Sequence, residues 1–138
     1  MAILCVDQVS VAVNDLNDAS RIYESILGLK AGHDETVEDQ GVTTRFFPVG
    51  DSRSVVEALL PTGPDTPVGK FLDKRGPGVH HIAFRTDDLE AELARLKAQG
   101  VRLIDETPRL GAEGKRIAFL HPKETGGVLI ELCEVPEA

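Results

Sequence analysis

The sequence predicts an α+β fold of two tandem βαβββ modules, and three observations carry that prediction. The apolar pattern switches from period two to a helical period and back to period two, twice along the chain. The two passes are related by a nearly constant offset: a shift of 73 carries Gln8 onto His81 and Leu16 onto Leu89, and Gly28 lies 72 positions before Gly100. Each pass covers about 55 to 60 residues, too few to bury a comfortable core alone, so the two should share a sheet or core.

The elements follow in order. Residues 8–13 alternate in period two and read as the first strand. Asn14-Asp15-Leu16 leads into a helix with Leu16, Ala19, Tyr23 and Ile26 on one face, closed by Gly28 as its C-terminal cap. Three strand-like runs, 33–37, 42–49 and 54–60, complete the first module. Pro61-Thr-Gly-Pro-Asp-Thr-Pro67 is a stiff loop, and 67–75 is a short helix with proline at its first position and Gly76 after its end. The second module opens with a strand at 81–86. Asp87, with Glu90 three residues on, forms an Asp version of the capping box before a helix with Leu89, Leu93 and Leu96 on one face, stopped by Gly100. Its remaining strands are 101–106, 115–121 and 128–134. The expectation is a single domain over 1–138, with module one at about 1–60, a linker and short helix at about 61–77, and module two at about 78–138.

Composition narrows the function. With 15 Lys plus Arg against 23 Asp plus Glu, the formal charge is −8, which argues against a nucleic-acid or anionic-membrane surface. Hydrophobic residues at 41% supply an ordinary core and exclude disorder for most of the chain. No run approaches a membrane span, and Met1-Ala2-Ile3-Leu4-Cys5 has neither the basic start nor the apolar stretch of a secretory signal, so a cytoplasmic protein is expected. Cys5 and Cys133 read as reduced thiols, far from any metal-binding spacing. An anionic ligand would need local positive charge or a metal.

The informative residues are polar ones planted in apolar strands at equivalent places. Gln8 and His81 begin the first strands of the two modules. Glu57 lies in Val55-Val56-Glu57-Ala58-Leu59-Leu60, and Glu131 in Val128-Leu129-Ile130-Glu131-Leu132-Cys133. Gln8 and Glu57 are 49 apart, His81 and Glu131 are 50 apart. A carboxylate inside an apolar strand costs several kcal/mol unless it is paired, protonated or metal-bound. Gln8, Glu57, His81 and Glu131 form an oxygen-rich set with one imidazole, suited to Zn²⁺, Co²⁺, Ni²⁺ or Mn²⁺. The alternative is a strand-start histidine and two glutamates facing solvent on an antiparallel sheet.

Long stretches resemble a known family. Gly78-Val-His80-His81-Ile-Ala-Phe, Gly100-Val-Arg-Leu-Ile-Asp-Glu-Thr-Pro-Arg-Leu-Gly111 and Phe119-Leu-His121-Pro-Lys-Glu-Thr-Gly-Gly-Val-Leu-Ile-Glu131-Leu resemble methylmalonyl-CoA epimerases of the vicinal oxygen chelate superfamily. So do Glu38-Asp-Gln40-Gly41-Val42, Pro64-Asp-Thr-Pro67 and Lys70-Phe-Leu-Asp-Lys-Arg-Gly76. The resemblance implies βαβββ modules curved into a cupped mixed sheet around a divalent metal, usually in a homodimer, acting on a CoA thioester. It places the metal on Gln8, Glu57, His81 and Glu131, and implies that (R)- and (S)-methylmalonyl-CoA interconvert by α-proton transfer with Glu131 as base and Glu57 as its partner.

Two positions depart from the family pattern. Epimerases usually begin the first strand with a His-Ile-Gly type motif where this chain has Gln8-Val-Ser10, and Gln, Glu, His, Glu in that order also resembles some glyoxalase I enzymes. Some epimerases place a Glu two residues after Gln-Gly-Val, where this chain has Thr44. The competing readings are therefore a glyoxalase I-like lyase acting on a glutathione hemithioacetal and a metal-free binding protein on the same scaffold. For the CoA moiety the basic candidates are Lys70, Lys74, Arg75, Lys115, Arg116 and Lys123, while His121 before Pro122 reads as a strand-end turn.

Overall fold

Both predicted β-α-β openings form, each helix ending at a glycine in the left-handed region: Gly28 at φ 75° and Gly100 at φ 78°. The computed structural model describes residues 2–136. Its strands are β1 (Ile3–Ala12), β2 (Asp34–Val37), β3 (Val42–Pro48), β4 (Val55–Pro61), β5 (Gly78–Thr86), β6 (Arg109–Leu110), β7 (Arg116–Leu120) and β8 (Ile130–Glu134). The helices are α1 (Leu16–Ser20, continued as a π-helical segment Arg21–Ile26), α2 (Pro67–Arg75) and α3 (Leu89–Ala98). None of these helices is long and apolar enough to cross a membrane.

The chain divides into two units, one continuous over Gln8–His80 and one discontinuous, made of the residues up to Asp7 and those from His81 onward. In the continuous unit the strands run β2-β3-β4-β1. β1 is parallel to β4, with Ser10 opposite Glu57, and β3 is antiparallel to β4, with Phe46 opposite Glu57. One face carries Val13, Ala19, Phe47 and Ala58, where α1 packs. The other carries Ala12, Val42 and Leu59 against Val68 of α2, with Phe71 and Leu72 beside them.

Helix α2 starts as expected, with Thr66 as N-cap accepting from the Gly69 N–H at 3.1 Å and Pro67 at the first turn. Gly69 explains how it docks. A methyl group there would strike the Gly63 carbonyl oxygen and the Pro64 carbonyl. Gly69→Ala should therefore cost on the order of 1–3 kcal/mol, because the helix must move off its own loop. A urea melt of the purified variant measures this.

In the discontinuous unit the order is β1-β5-β8-β7-β6. β5 is parallel to β8, with Ala83 opposite Glu131, and β7 is antiparallel to β8, with Phe119 opposite Glu131. α3 buries Leu89 and Leu93 against Ala118, Leu120 and Leu132. The opposite face carries Ala83, Ile117, Phe119 and Cys133.

Two expectations in this unit are corrected. The run 101–106 is not a strand and makes a single bridge, Leu103 to Leu120. The N–H groups of Ile104 and Asp105 both reach the Phe119 carbonyl (2.9 and 3.2 Å), and the Asp105 carboxylate takes the Phe119 N–H at 2.9 Å. A side chain thus replaces the ladder partner, and pairing resumes only at β6. Nor is Asp87 the cap of α3. Its carboxylate accepts from the Ala2 N–H at 2.9 Å, and Asp88 caps the helix by accepting from the Ala91 N–H at 3.1 Å.

Candidate functional site

The residues singled out by the repeat are brought together as two pairs, one in each unit. In the continuous unit the parallel register sets Ser10 opposite Glu57, and Gln8, two residues earlier, points to the same face. Glu57 Oε1 accepts from Gln8 Nε2 at 3.0 Å and from Ser10 Oγ at 2.8 Å. In the discontinuous unit His81 Nε2 stands 3.4 Å from Glu131 Oε1. The His81 and Phe119 rings meet in a T-shaped arrangement, with centroids 5.2 Å apart at an interplanar angle of 81°.

Burial removes the solvent-facing reading of the two glutamates. Glu57, His81 and Glu131 are each 3% exposed and Gln8 is 6% exposed, so neither glutamate faces solvent. The offset of 73 also maps Ser10 onto Ala83. The two carboxylates consequently differ in their surroundings: Glu57 has a hydroxyl opposite it, and Glu131 has a methyl group.

The fit to a divalent ion can be judged from the donors. Each pair supplies one carboxylate and one neutral group, an amide in one and an imidazole in the other, and Gln8 and Ser10, which donate to Glu57, are uncharged. This chemistry suits a borderline cation and is poor in thiolate. Among the described residues, no three His, Cys, Asp or Glu side chains are grouped in a way that could hold a metal ion.

Thr44, at the position where some epimerases carry glutamate, is buried and donates to the Glu35 carbonyl at 3.2 Å. His121 behaves as the expected turn: Nδ1 accepts from the Lys123 N–H at 3.1 Å. Arg116, a CoA candidate in the sequence, pairs with Glu90 and Glu134. Lys115, another, is 8% exposed and bonded to Asp7 at 2.7 Å.

Asp7 is the residue that sequence reasoning missed. It is 1% exposed and holds Lys115 through one oxygen and Arg85 through the other, with Arg85 Nε at 2.8 Å. Burial pushes its carboxyl up, but the Lys115 and Arg85 hydrogen bonds and charges outweigh this and hold it below 3.8. Lys115 is the mirror case, with burial lowering its ammonium and Asp7 raising it further to a net upward shift. The Cys133 thiol is pushed far up, chiefly by burial and then by the charge of Asp7. The available signal was a charged residue inside an apolar strand, Val6-Asp7-Gln8, the same signal that marked the two glutamates.

Residues 7–119 match the glyoxalase/bleomycin resistance protein/dioxygenase superfamily. The chain is 37% identical over 131 residues to an ethylmalonyl-CoA/methylmalonyl-CoA epimerase of Cereibacter sphaeroides, covering 94% of this chain and 96% of the relative. A crystal structure of methylmalonyl-CoA epimerase from Mycobacterium tuberculosis superposes with a TM-score of 0.94 at 42% identity, covering 98% of this chain and 90% of that one. A methylmalonyl-CoA epimerase in complex with methylmalonyl-CoA and NH4+ gives 0.92 at 39%, covering 97% and 96%.

Proposed function

The chain belongs to the glyoxalase/bleomycin resistance protein/dioxygenase superfamily, and from that membership we propose that it is an epimerase interconverting (R)- and (S)-methylmalonyl-CoA. The observation that carries this reading is the repeated burial of a carboxylate beside a neutral partner, Glu57 with Gln8 and Glu131 with His81, in a chain so similar to epimerases.

Inverting a carbon next to a thioester requires removing a weakly acidic proton and returning one to the opposite face. In our reading Glu131 accepts the α-proton through its carboxylate oxygen, and the electron pair of the C–H bond moves into the thioester to form an enolate. Glu57, protonated from solvent, delivers a proton to the other face, and the reverse reaction exchanges the roles. Both side chains are held from the neighbouring strand, Glu57 by Gln8 and Ser10 of β1 and Glu131 by His81 of β5, which lowers the orientational cost of proton transfer. Gln8, Glu57, His81 and Glu131 are the proposed ligands of a divalent cobalt, zinc, nickel or manganese ion; when bound, it supplies positive charge against the enolate oxygen. A cytoplasmic homodimer completes the reading, and sedimentation velocity measures the assembly.

The direct test is incubation of single-epimer methylmalonyl-CoA in D₂O with elemental analysis of the same sample. Racemisation with α-deuterium incorporation, lowered by chelator and restored by a divalent ion, is expected. No inversion and no exchange in metal-replete protein overturns the reading, and turnover of a glutathione hemithioacetal in its place assigns the chain to lyase chemistry.

A further inference from the structure

The continuous unit carries a buried hydroxyl that its packing does not call for. Ser10 stands opposite Glu57 in the β1–β4 ladder, and at the equivalent place of the repeat Ala83 stands opposite Glu131. Both positions are fully buried. The same parallel pairing is therefore built with a hydroxyl in one unit and with a methyl group in the other. The hydroxyl accompanies the amide, Gln8, and the methyl group accompanies the imidazole, His81.

Ser10, Gln8 and Glu57 close a triangle. Ser10 Oγ donates to Glu57 Oε1 at 2.8 Å, Gln8 Nε2 donates to the same oxygen at 3.0 Å, and Nε2 also reaches Ser10 Oγ at 3.4 Å. A carboxylate oxygen only accepts, so the half of the Gln8 amide that faces it is the NH₂ half. The carbonyl half is turned away from Glu57, and among the described residues nothing donates to Gln8 Oε1. Gln8 is 6% exposed, and an acceptor left without a donor in so enclosed a place is costly unless another partner engages it. A divalent cation is such a partner.

We propose that Ser10 is a positioning residue for the metal ion: by bonding Glu57 it fixes the oxygen that holds the Gln8 NH₂ group, and so presents Gln8 Oε1 as the ligand atom. The inference rests on the ligand set of the epimerase reading above. An amide at the end of a flexible side chain has two ends of nearly equal shape, and only its hydrogen bonds decide which end faces the ion. An imidazole carries its lone pair in the plane of a rigid ring, in keeping with the plain methyl group of the His81 unit. Partners that orient a metal ligand are worth about 10- to 100-fold in metal affinity.

The test titrates metal-free protein with zinc against a chromophoric chelator, for the wild type, Ser10→Ala and Ser10→Thr, and for Ser10→Ala introduced into Gln8→His. Ser10→Ala should weaken zinc by about 10- to 100-fold, and Ser10→Thr, which keeps the hydroxyl, should recover part of the loss. In the Gln8→His chain the same Ser10→Ala change should cost no more than about twofold, the scatter of independent sites. The visible absorption of the cobalt-loaded protein reads the effect without catalysis: Ser10→Ala should alter it in the Gln8 chain and leave it in the Gln8→His chain. No loss of zinc affinity in Ser10→Ala overturns the proposal, and so does an equal loss in both chains, the mark of a damaged fold. A wild type that binds none of zinc, cobalt, nickel and manganese removes the metal and this inference with it, while α-deuterium exchange in the same sample decides separately whether the epimerase reading falls.

Discussion

Glu131→Gln should lower epimerisation by about 10²- to 10⁴-fold, the range that a positioned general base supplies. The substitution is nearly isosteric, so the side chain keeps its place opposite Ala83 and Phe119 and loses only the ability to take a proton. Exchange followed separately from the (R) and the (S) epimer makes the result diagnostic. If Glu131 and Glu57 serve opposite faces, Glu131→Gln removes exchange from at least one epimer and Glu57→Gln stops inversion as well. Full exchange from both epimers in Glu131→Gln overturns the assignment. The melting temperature of each variant, measured with metal present, separates lost chemistry from lost structure.

The largest effect on stability should come from Asp7. Its carboxylate is the shared anion of Lys115 and Arg85, and Lys115 is itself buried. Asp7→Ala leaves that ammonium in the interior with only the more exposed Glu113 carboxylate, 3.4 Å away, at a cost of up to about 3–5 kcal/mol. Urea unfolding checks this, and a loss below about 1 kcal/mol would show that the cluster is dispensable. The same carboxyl gives a pH dependence of definite sign. The folded value lies below the 3.8 of the free group, so the unfolded chain binds the proton more readily. The contribution is complete above the unfolded value and is lost as the pH falls below it and through the folded value. Acid unfolding of the wild type should therefore steepen in that window, and Asp7→Asn should flatten it.

How much of this was legible in the sequence depends on whether a residue had a second instance to be compared with. Gln8, His81, Glu57 and Glu131 stood out because the duplication presents each kind of position twice, and all four are buried in the structure. The helices were legible from their apolar spacing closed by Gly28 and Gly100, and from Pro67 and Gly76 at the ends of α2. Asp7 and Lys115 are 108 residues apart, and no local pattern joins them, so one went unremarked and the other was read as a candidate for binding CoA. The 101–106 stretch has the apolar content of a strand, but its pairing is diverted by the Asp105 carboxylate, a tertiary event invisible to periodicity. The shift of the helix cap from Asp87 to Asp88 has the same origin, since the Ala2 N–H that engages Asp87 comes from the far end of the chain.

Strand β1 has a further consequence, for the order in which the protein is made. Gln8–His80 is an uninterrupted stretch, so its long-range pairs are all available once the ribosome has released it. The other unit needs residues made before that stretch, up to Asp7, and residues made after it, from His81 on. Its completion waits until the residues beyond His81 have been made, and the loop between Asp7 and Lys115 closes only after Lys115 has emerged. During that interval the 3–7 segment, which includes the apolar Ile3 and Leu4, emerges without its partners. The 3–7 segment should consequently stay open to chaperones and to mispairing over that interval, and slowing synthesis of the second half should lengthen it.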